Sequence, residues 1–250
     1  MALSLTQTAA LALLLKPGMR VASMGYPDLI APREMILPLL GDQAVNLLYR
    51  EDSAAICKRH GIREGCQIPD AESFFFRMGC KLDVYDIVQE RGCEILCDLN
   101  KPIYLPHVPV YDIVLDVGTA EHCFNIAQAM MNMAALVKVG GYIIHENPFN
   151  CSNHGFYNLN PTFYVDFYKA NGFEVIECCL ATRDGRTANV PHGKRFKFLT
   201  EEANAFCIAQ RLRVQAFVHP VQAKYAATIP AAGVPGDSTP EKRAIGERNA

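Results

Sequence analysis

Acid and imidazole side chains follow two apolar segments of the chain, and these residue types can accept or donate protons near neutral pH. Glu121 and His122 come shortly after the apolar run VYDIVLDV. His145 lies near the end of the run YIIHE, and His154 follows a few residues later. We expect these four side chains to converge on one rim, where at least one of them acts on an acceptor molecule.

Neutral hydrogen-bonding side chains are concentrated in the segment that follows His145. They are Asn147, Asn150, Tyr157 and Asn158. Such groups suit a polar, uncharged or sugar-like acceptor, although turns rich in Asn are also common where no ligand binds. The sequence therefore predicts that this segment closes over the acceptor site.

The same acid and imidazole residues offer a second interpretation, a metal site. Glu121, His122, His145 and His154 could ligate one ion if the two loops fold together. The chain contains neither an HxxxH nor an HExxH motif at these positions, and these are the spacings that place two histidines on one helix face. We therefore predict a site without a metal.

Composition excludes several classes of protein. The 250 residues carry a net charge of −2, half are hydrophobic and a fifth are charged, which is typical of a globular chain with a sizeable core. Nucleic-acid binding is not expected, because neutralising several phosphates requires a basic face. No apolar run is long enough to span a bilayer, so no membrane partner is expected.

Ten cysteines are dispersed through the chain without a CxxC pair or a Cys/His cluster of zinc-finger spacing. Several lie inside apolar runs, where a free Cys behaves as a small hydrophobic residue. We predict reduced thiols in a cytoplasmic protein.

The ends of the chain differ from its middle. Residues 1–18 contain a short apolar stretch without a basic leader or a cleavage site, and we predict a helix that packs on the domain. Residues 19–228 are expected to form one domain. Residues 229–250 are rich in Pro, Gly and charge, which predicts a disordered tail.

Apolar runs and helical patterns alternate through residues 19–228. We predict strands at 19–25, 82–88, 93–98, 110–117, 140–146, 173–181 and 213–219, with a further one at 44–49. Helices are predicted in two pieces over 31–61 and at 71–79, 126–137, 161–171 and 200–212. This order predicts an α/β fold, an open and mostly parallel twisted sheet with helices on both faces.

Ligands of such sheets bind outside the carboxyl ends of the strands. Gly25 follows the first predicted strand, and Asp86 and Asp98 lie at the ends of the next two. One glycine permits close approach of a ligand, but a dinucleotide fingerprint would contain three. A carboxylate at a strand end can accept hydrogen bonds from a ribose diol or from an exocyclic amine.

Five segments in this order resemble a class I S-adenosylmethionine-dependent methyltransferase. They are MRVASMGYPD, DVYDIVQERGCEILCDLNKPI, YDIVLDVGTAEHCFN, MMNMAALVKVGGYIIHENP and HGFYNLNPTFYVDFYKANGFEVIE, and they cover about residues 16–181. Several are similar to a bacterial subgroup associated with the modification of sugar polymers or small metabolites. The chain departs from the family pattern in its first motif, where SMGYP replaces a glycine-rich sequence.

The resemblance implies S-adenosyl-L-methionine as cofactor and assigns its binding residues. Ser23, Met24 and Gly25 would line the methionine part of the cofactor. Asp86 would bind the ribose hydroxyls, and Ile87 would lie against the adenine.

The later strand ends complete the site that the resemblance implies. Asp98 and Leu99 would hold the adenine amine and ring. Asp116, Gly118 and Thr119 would approach the sulfonium, which carries the methyl group.

The expected function is methyl transfer to an oxygen or nitrogen of a small molecule or saccharide. Two alternatives stay open: non-methylating use of the cofactor, as in a cyclase, and a nucleotide-binding domain with a degenerate pocket or an NAD-dependent enzyme. The sequence leaves open whether the chain forms a homodimer.

Overall fold

The computed structural model describes residues 2–103, 110–182, 184–191, 194–196, 201–226 and 228. The strands within these residues are β1 (Ala2–Leu3), β2 (Arg20–Met24), β3 (Asp28–Leu29), β4 (Lys81–Asp86), β5 (Ile95–Leu96), β6 (Tyr111–Asp116), β7 (Val137–Pro148), β8 (Phe173–Thr182), β9 (Thr187–Asn189) and β10 (Ala203–Arg211). The α-helices are α1 (Leu5–Leu14), α2 (Arg33–Leu40), α3 (Ser53–His60), α4 (Ala71–Arg77), α5 (Ile126–Leu136), α6 (Pro161–Ala170) and α7 (Ala223–Ala226). Short 3₁₀ helices cover Gly41–Asn46 and Ala120–His122.

The main sheet has the strand order β5-β4-β2-β6-β7-β10-β8-β9. The first five of these strands run parallel, and β10 lies antiparallel between β7 and β8. The chain adds strands on one side of β2 and then crosses to β6 on the other side, so the topological switch point lies between β2 and β6. The predicted fold, an open and mostly parallel α/β sheet, is confirmed.

Helices cover both faces of this sheet because its central strands are apolar on both faces. On one face, Val114 and Ile143 pack in a cluster with α5 and α6. On the other face, Ile113 and Ile144 pack in a cluster with α1, α2 and α4. Neighbouring residues of one strand therefore enter opposite layers, as the two-residue period of a strand requires.

The N-terminal segment contains the helix α1, which lies on the second of these faces. Ser4 caps α1 with Gln7 in a reciprocal capping box, which satisfies backbone donors at the start of the helix. Leu11 is fully buried in the same cluster as Val21 of β2. This packing joins the N-terminal segment to the sheet.

The predictions for residues 200–212 and 213–219 are wrong. The first segment, predicted as a helix, contains β10, and the second, predicted as a strand, is irregular. Ala205 and Cys207 face one core cluster while Phe206 faces the other, so the apolar run is buried on both sides. A short run of this kind has no periodicity that separates a buried strand from a buried helix.

A smaller correction concerns residues 44–49, where we predicted a strand. The first half of this segment lies in the 3₁₀ helix Gly41–Asn46, and Tyr49 makes an isolated bridge to Pro69. The predicted tail, residues 229–250, lies outside the described residues. None of the described helices combines the length and the apolar character that crossing a membrane requires.

Candidate functional site

A cavity of about 930 Å³ opens at the carboxyl ends of β2, β4 and β6, on the edge of the sheet where ligands of open α/β folds bind. Its volume lies within the usual range for small-molecule sites, about 300–1,000 Å³. The predicted site residues that line it are Gly25, Asp86, Ile87, Asp98, Leu99, Gly118, Thr119, Glu121, His122 and His154. Residues predicted to bind the cofactor therefore line the same cavity as Glu121, His122 and His154, which were predicted to act on the acceptor.

The turn after β2 brings the backbone to the cavity wall. Gly25 has φ +78°, a left-handed conformation that glycine adopts without steric cost, and its amide donates to the Tyr85 carbonyl at 2.6 Å. Ser23 is buried and donates to the Gly25 carbonyl at 2.7 Å. Met24 is buried in the core. Ser23 and Met24 thus shape the turn, and Gly25 is the one of the three that reaches the cavity.

Asp86 is the last residue of β4 and lines the cavity next to Ile87. Within the described part of the chain, its carboxylate accepts one long hydrogen bond, 3.3 Å from the Val88 amide. Ile87 is 67% exposed. Ile87 can therefore pack against the face of a ring, and the Asp86 carboxylate beside it can accept hydrogen bonds from a diol.

The loop after β5 places Asp98 and Leu99 on the adjacent wall. Asp98 accepts hydrogen bonds from the backbone and the side chain of Asn100 at 3.0 and 2.9 Å, and it pairs with Lys101 at 3.1 Å. Hydrogen bonds from Asn100, followed by the contact with Lys101, hold the pKa of Asp98 below its usual range. Asn132 of α5 anchors this loop by donating to the Leu99 carbonyl at 3.0 Å.

The turn after β6 is held in place by hydrogen bonds to a buried carboxylate. Asp116 is fully buried and accepts from the amides of Thr119 and Ala120 at 3.1 and 3.0 Å. Thr119 donates from its hydroxyl to the Met24 carbonyl at 2.6 Å, which joins this turn to the turn after β2. Gly118, with φ +91°, and Thr119 line the cavity, whereas Asp116 supports the turn.

The expectation that His145 lies on the rim is wrong. His145 is fully buried within β7, its Nδ1 lies 2.7 Å from Asp116, and its Nε2 contacts the Tyr168 hydroxyl. The strand continues past the predicted end at residue 146, because Pro148 still pairs with Asn204 of β10. His145 therefore belongs to the packing between the sheet and α6.

Asn147 lies in the same buried network and does not line the cavity formed by the described residues. Its side-chain nitrogen Nδ2 donates to Asp116 at 3.1 Å and to Oε2 of Glu121 at 2.8 Å. Its side-chain oxygen Oδ1 accepts a hydrogen bond from the Tyr164 hydroxyl at 2.6 Å. With all these partners inside the protein, Asn147 orients Glu121 and is not placed to contact an acceptor.

Glu121 is a buried carboxylate at the cavity wall. Its side chain is fully buried, and within the described part of the chain its Oε1 accepts no hydrogen bond. Burial, followed by the charge of Asp116, raises the pKa of Glu121 to about 7. A buried acid with one unsatisfied oxygen is costly to the fold and is characteristic of functional sites.

His122 and His154 flank this free oxygen. Their Nε2 atoms lie 3.8 and 3.5 Å from Oε1 of Glu121, and their ring centroids are 5.4 Å apart. Each imidazole is about half exposed, at 52%. Burial and the neighbouring His154 lower the pKa of His122. The predicted convergence of these three residues is found in the structure.

The loop that carries His154 is held against Glu121 by close backbone packing. A Cβ at Gly155 would lie 2.9 Å from both the Cγ and the carbonyl oxygen of Glu121. The Phe156 amide donates to the same carbonyl at 2.9 Å. The absence of a side chain at Gly155 therefore permits the approach that brings His154 to the cluster.

The remaining predicted acceptor residues do not line the cavity that the described residues form. Asn150 exchanges hydrogen bonds with the backbone of Glu201 and Ala203 at 2.9 and 2.7 Å. Tyr157 donates to the Phe124 carbonyl at 2.8 Å, and Asn158 is exposed. Their side chains hold or border the loop in this structure.

Several cavity residues were missed from the sequence, among them Glu146 of β7. Its carboxylate accepts from Ser4 and Asn204 at 2.9 Å each, and burial raises its pKa against the effect of these bonds. The strand period could have found it, since Glu146 points to the opposite face from His145 and Asn147.

Three thiols also line the cavity, and none was predicted there. Burial raises the pKa of Cys97 and of Cys151, and it raises the pKa of Cys123 to about 12. All three groups are protonated at neutral pH, so they serve as weakly polar lining of the cavity and not as nucleophiles.

Comparison with known proteins finds similarity in structure only: no protein-family model matches the chain, and no curated protein matches it in sequence. One similar solved structure is the 1,6-didemethyltoxoflavin-N1-methyltransferase of Burkholderia thailandensis with bound 1,6-didemethyltoxoflavin and S-adenosylhomocysteine. It is 12% identical with a TM-score of 0.48, over 82% of this chain and 76% of that chain. Another is a SAM-dependent methyltransferase from Aquifex aeolicus, which is 10% identical with a TM-score of 0.43, over 82% of this chain and 90% of that one. Likeness of backbone at this level does not assign an activity, because one fold hosts many chemistries.

Proposed function

We propose that this chain is an S-adenosylmethionine-dependent methyltransferase that transfers a methyl group to an oxygen or nitrogen of a small molecule or saccharide. One observation carries the proposal: a single cavity at the switch point of the sheet is lined by Gly25, Asp86 and Leu99 at one end and by Glu121, His122 and His154 at the other. Cofactor and acceptor can therefore meet in one cavity.

The residues of the first end fit the adenosyl group. The left-handed turn at Gly25 allows close approach of the amino-acid arm, because no side chain stands there. Asp86 has the capacity to accept from both ribose hydroxyls, and Ile87 and Leu99 offer apolar contacts to a ring. When bound, the cofactor supplies an electrophilic methyl group on a sulfonium.

The residues of the second end act on the acceptor. An acceptor hydroxyl must lose its proton as its lone pair forms the new bond, and an ammonium must first lose a proton to free its lone pair; an imidazole is suited to accept either proton. His122 and His154 line the cavity with half-exposed rings, and their Nε2 atoms lie 3.8 and 3.5 Å from Oε1 of Glu121.

Ligand-induced stabilisation tests the cofactor. S-adenosylmethionine and S-adenosylhomocysteine should each raise the melting temperature, whereas NAD should not, because a ligand that binds only the native state adds to its stability. Asp86→Ala should lower the affinity for S-adenosylhomocysteine about tenfold or more, as expected for loss of charge-assisted hydrogen bonds. Asp42→Ala, at an exposed position on the 3₁₀ helix Gly41–Asn46, is the matched control.

Two outcomes would overturn the proposal. The first is an absence of stabilisation by either adenosyl ligand. The second is release of methylthioadenosine in place of S-adenosylhomocysteine, which would mean that the amino-acid arm of the cofactor is transferred.

A further inference from the structure

The cluster of Glu121, His122 and His154 has the ligand set of a transition-metal site. Two imidazole nitrogens and one carboxylate oxygen are the protein ligands found in one type of catalytic zinc centre, where a fourth position stays open. The three ligand atoms lie within 4.8 Å of one another. Neither an HxxxH motif nor any other short spacing encodes this set, since His154 comes from a different loop.

The distances within the cluster are close to those that a metal would impose. Bonds of about 2.0–2.1 Å in a tetrahedral site separate the ligand atoms by about 3.3 Å. Oε1 of Glu121 lies 3.5 Å from Nε2 of His154 and 3.8 Å from Nε2 of His122. These separations are slightly longer than direct hydrogen bonds, and small movements of two half-exposed imidazole rings would reach the metal geometry.

The buried oxygen of Glu121 is an independent sign of a ligand. Buried carboxylate oxygens almost always accept a hydrogen bond, yet Oε1 has no such partner among the described residues. The other carboxylate oxygen, Oε2, accepts a hydrogen bond from Asn147 at 2.8 Å. Carboxylates that ligate metals are commonly oriented by such a hydrogen bond to the oxygen that does not bind the metal. One oxygen is therefore anchored, and the other is left for a ligand between the two imidazoles.

We propose that Glu121, His122 and His154 bind one divalent transition-metal ion of the zinc class, with the open coordination position directed to the cavity that all three residues line. With the metal bound, the two imidazoles act as ligands and not as the base, and an acceptor hydroxyl at the open position would lose its proton to solvent more readily, because coordination lowers the pKa of a bound oxygen. The proposal concerns metal binding by these side chains and does not depend on the nature of the cofactor.

Metal titration of the full chain tests the proposal. After treatment with a chelator, the protein should bind one Zn²⁺ in competition with a chromophoric chelator and should not bind Mg²⁺, which prefers oxygen ligands. Glu121→Gln, His122→Ala and His154→Ala should each lower the affinity for Zn²⁺ by at least about tenfold. His219→Asn, at an exposed position, should leave it unchanged.

Cobalt distinguishes this site from the ten free cysteines. Co²⁺ should give the visible absorption of a tetrahedral nitrogen and oxygen site, without thiolate-to-metal charge transfer. A charge-transfer band, an unchanged affinity in His154→Ala, or an absence of Zn²⁺ binding would each overturn the proposal.

S-adenosylhomocysteine provides the control for folding. The three ligand variants should keep the rise in melting temperature that this compound produces in the parent protein. If the parent binds Zn²⁺ but shows no such rise, the methyltransferase proposal fails and the metal site stands. If the melting temperature rises and Zn²⁺ does not bind, the metal-site proposal fails and the methyltransferase proposal stands.

Discussion

Asn147 donates a hydrogen bond to Oε2 of Glu121 at 2.8 Å from a position that is itself fully buried. This contact determines which carboxylate oxygen of Glu121 faces His122 and His154. Because the same amide also donates to Asp116, the orientation of Glu121 is tied to the turn after β6, which we propose contributes to the cofactor end of the cavity. The two ends of the cavity therefore share one buried polar network.

Asn147→Leu should destabilise the protein by about 3 kcal/mol, because it leaves Oε2 of Glu121 and the Tyr164 hydroxyl without the buried side-chain partner shown here and removes one of the hydrogen bonds that Asp116 accepts. Urea unfolding measures the change in the free energy of unfolding. Asn158→Leu, at an exposed position, should change it by less than about 0.5 kcal/mol. Equal effects of the two variants would show that the network does not stabilise the fold.

Gly155→Ala should move the loop that carries His154, because the new Cβ would lie 2.9 Å from two atoms of Glu121. We expect the affinity for Zn²⁺ to fall by at least about tenfold, to a degree similar to His154→Ala. A double-mutant cycle measures the coupling: once His154 is absent, Gly155→Ala should have little further effect. Full additivity would mean that Gly155 acts on something other than His154.

Thr119→Val should weaken the binding of S-adenosylhomocysteine by about tenfold while costing about 1 kcal/mol of stability. The hydroxyl of Thr119 joins the turns after β2 and β6 through the Met24 carbonyl at 2.6 Å, so its loss loosens both turns at the cavity. Calorimetric titration gives the affinity, and Thr187→Val on the edge strand β9 serves as control. Unchanged affinity would show that this contact does not preorganise the cofactor site.

Asp83→Asn should lower stability near pH 7 by about 1–2 kcal/mol, and this difference should disappear in acid. Burial raises the pKa of Asp83, but hydrogen bonds from Arg20, Lys81 and Tyr111 outweigh it and hold the pKa below its usual range. A carboxylate with a lowered pKa contributes its stability above the unfolded value of about 3.9, and this contribution is lost as the pH falls through the lower folded value. Denaturant unfolding at a series of pH values measures the difference.

The exposed Asp42 provides the matched control for this pH dependence. Asp42→Asn should have no effect on the free energy of unfolding at any pH of the series. A difference between Asp83→Asn and the parent that grows as the pH is lowered would contradict the assignment.

Much of the cavity wall proposed to hold the cofactor could be predicted from the sequence because its residues are local to strand ends. Gly25, Asp86, Leu99 and Thr119 each lie at or shortly after the end of a strand, and parallel strands place their carboxyl ends on one edge. The open, mostly parallel sheet follows from the same alternation of strands and helices, whereas the order of its strands was not predicted. The hydrophobic pattern predicted the wrong element at residues 200–212, because an apolar run that is buried on both faces does not show whether it is a strand or a helix.

The acceptor end depended on the tertiary structure. The sequence placed His145 and His154 in one polar segment, but β7 continues through Pro148, which buries His145 and leaves His154 in the loop. The same strand turns Asn147 inward, where it orients Glu121.

Residue types and their order along the chain determined the open sheet, the edge at which we expect the cofactor, and the list of groups able to carry protons or metals. Only the tertiary structure decided that Glu121, His122 and His154 meet, because that contact requires two loops to pack at Gly155. Such packing depends on the fit of distant surfaces, whereas strand ends are defined by local hydrophobic periodicity.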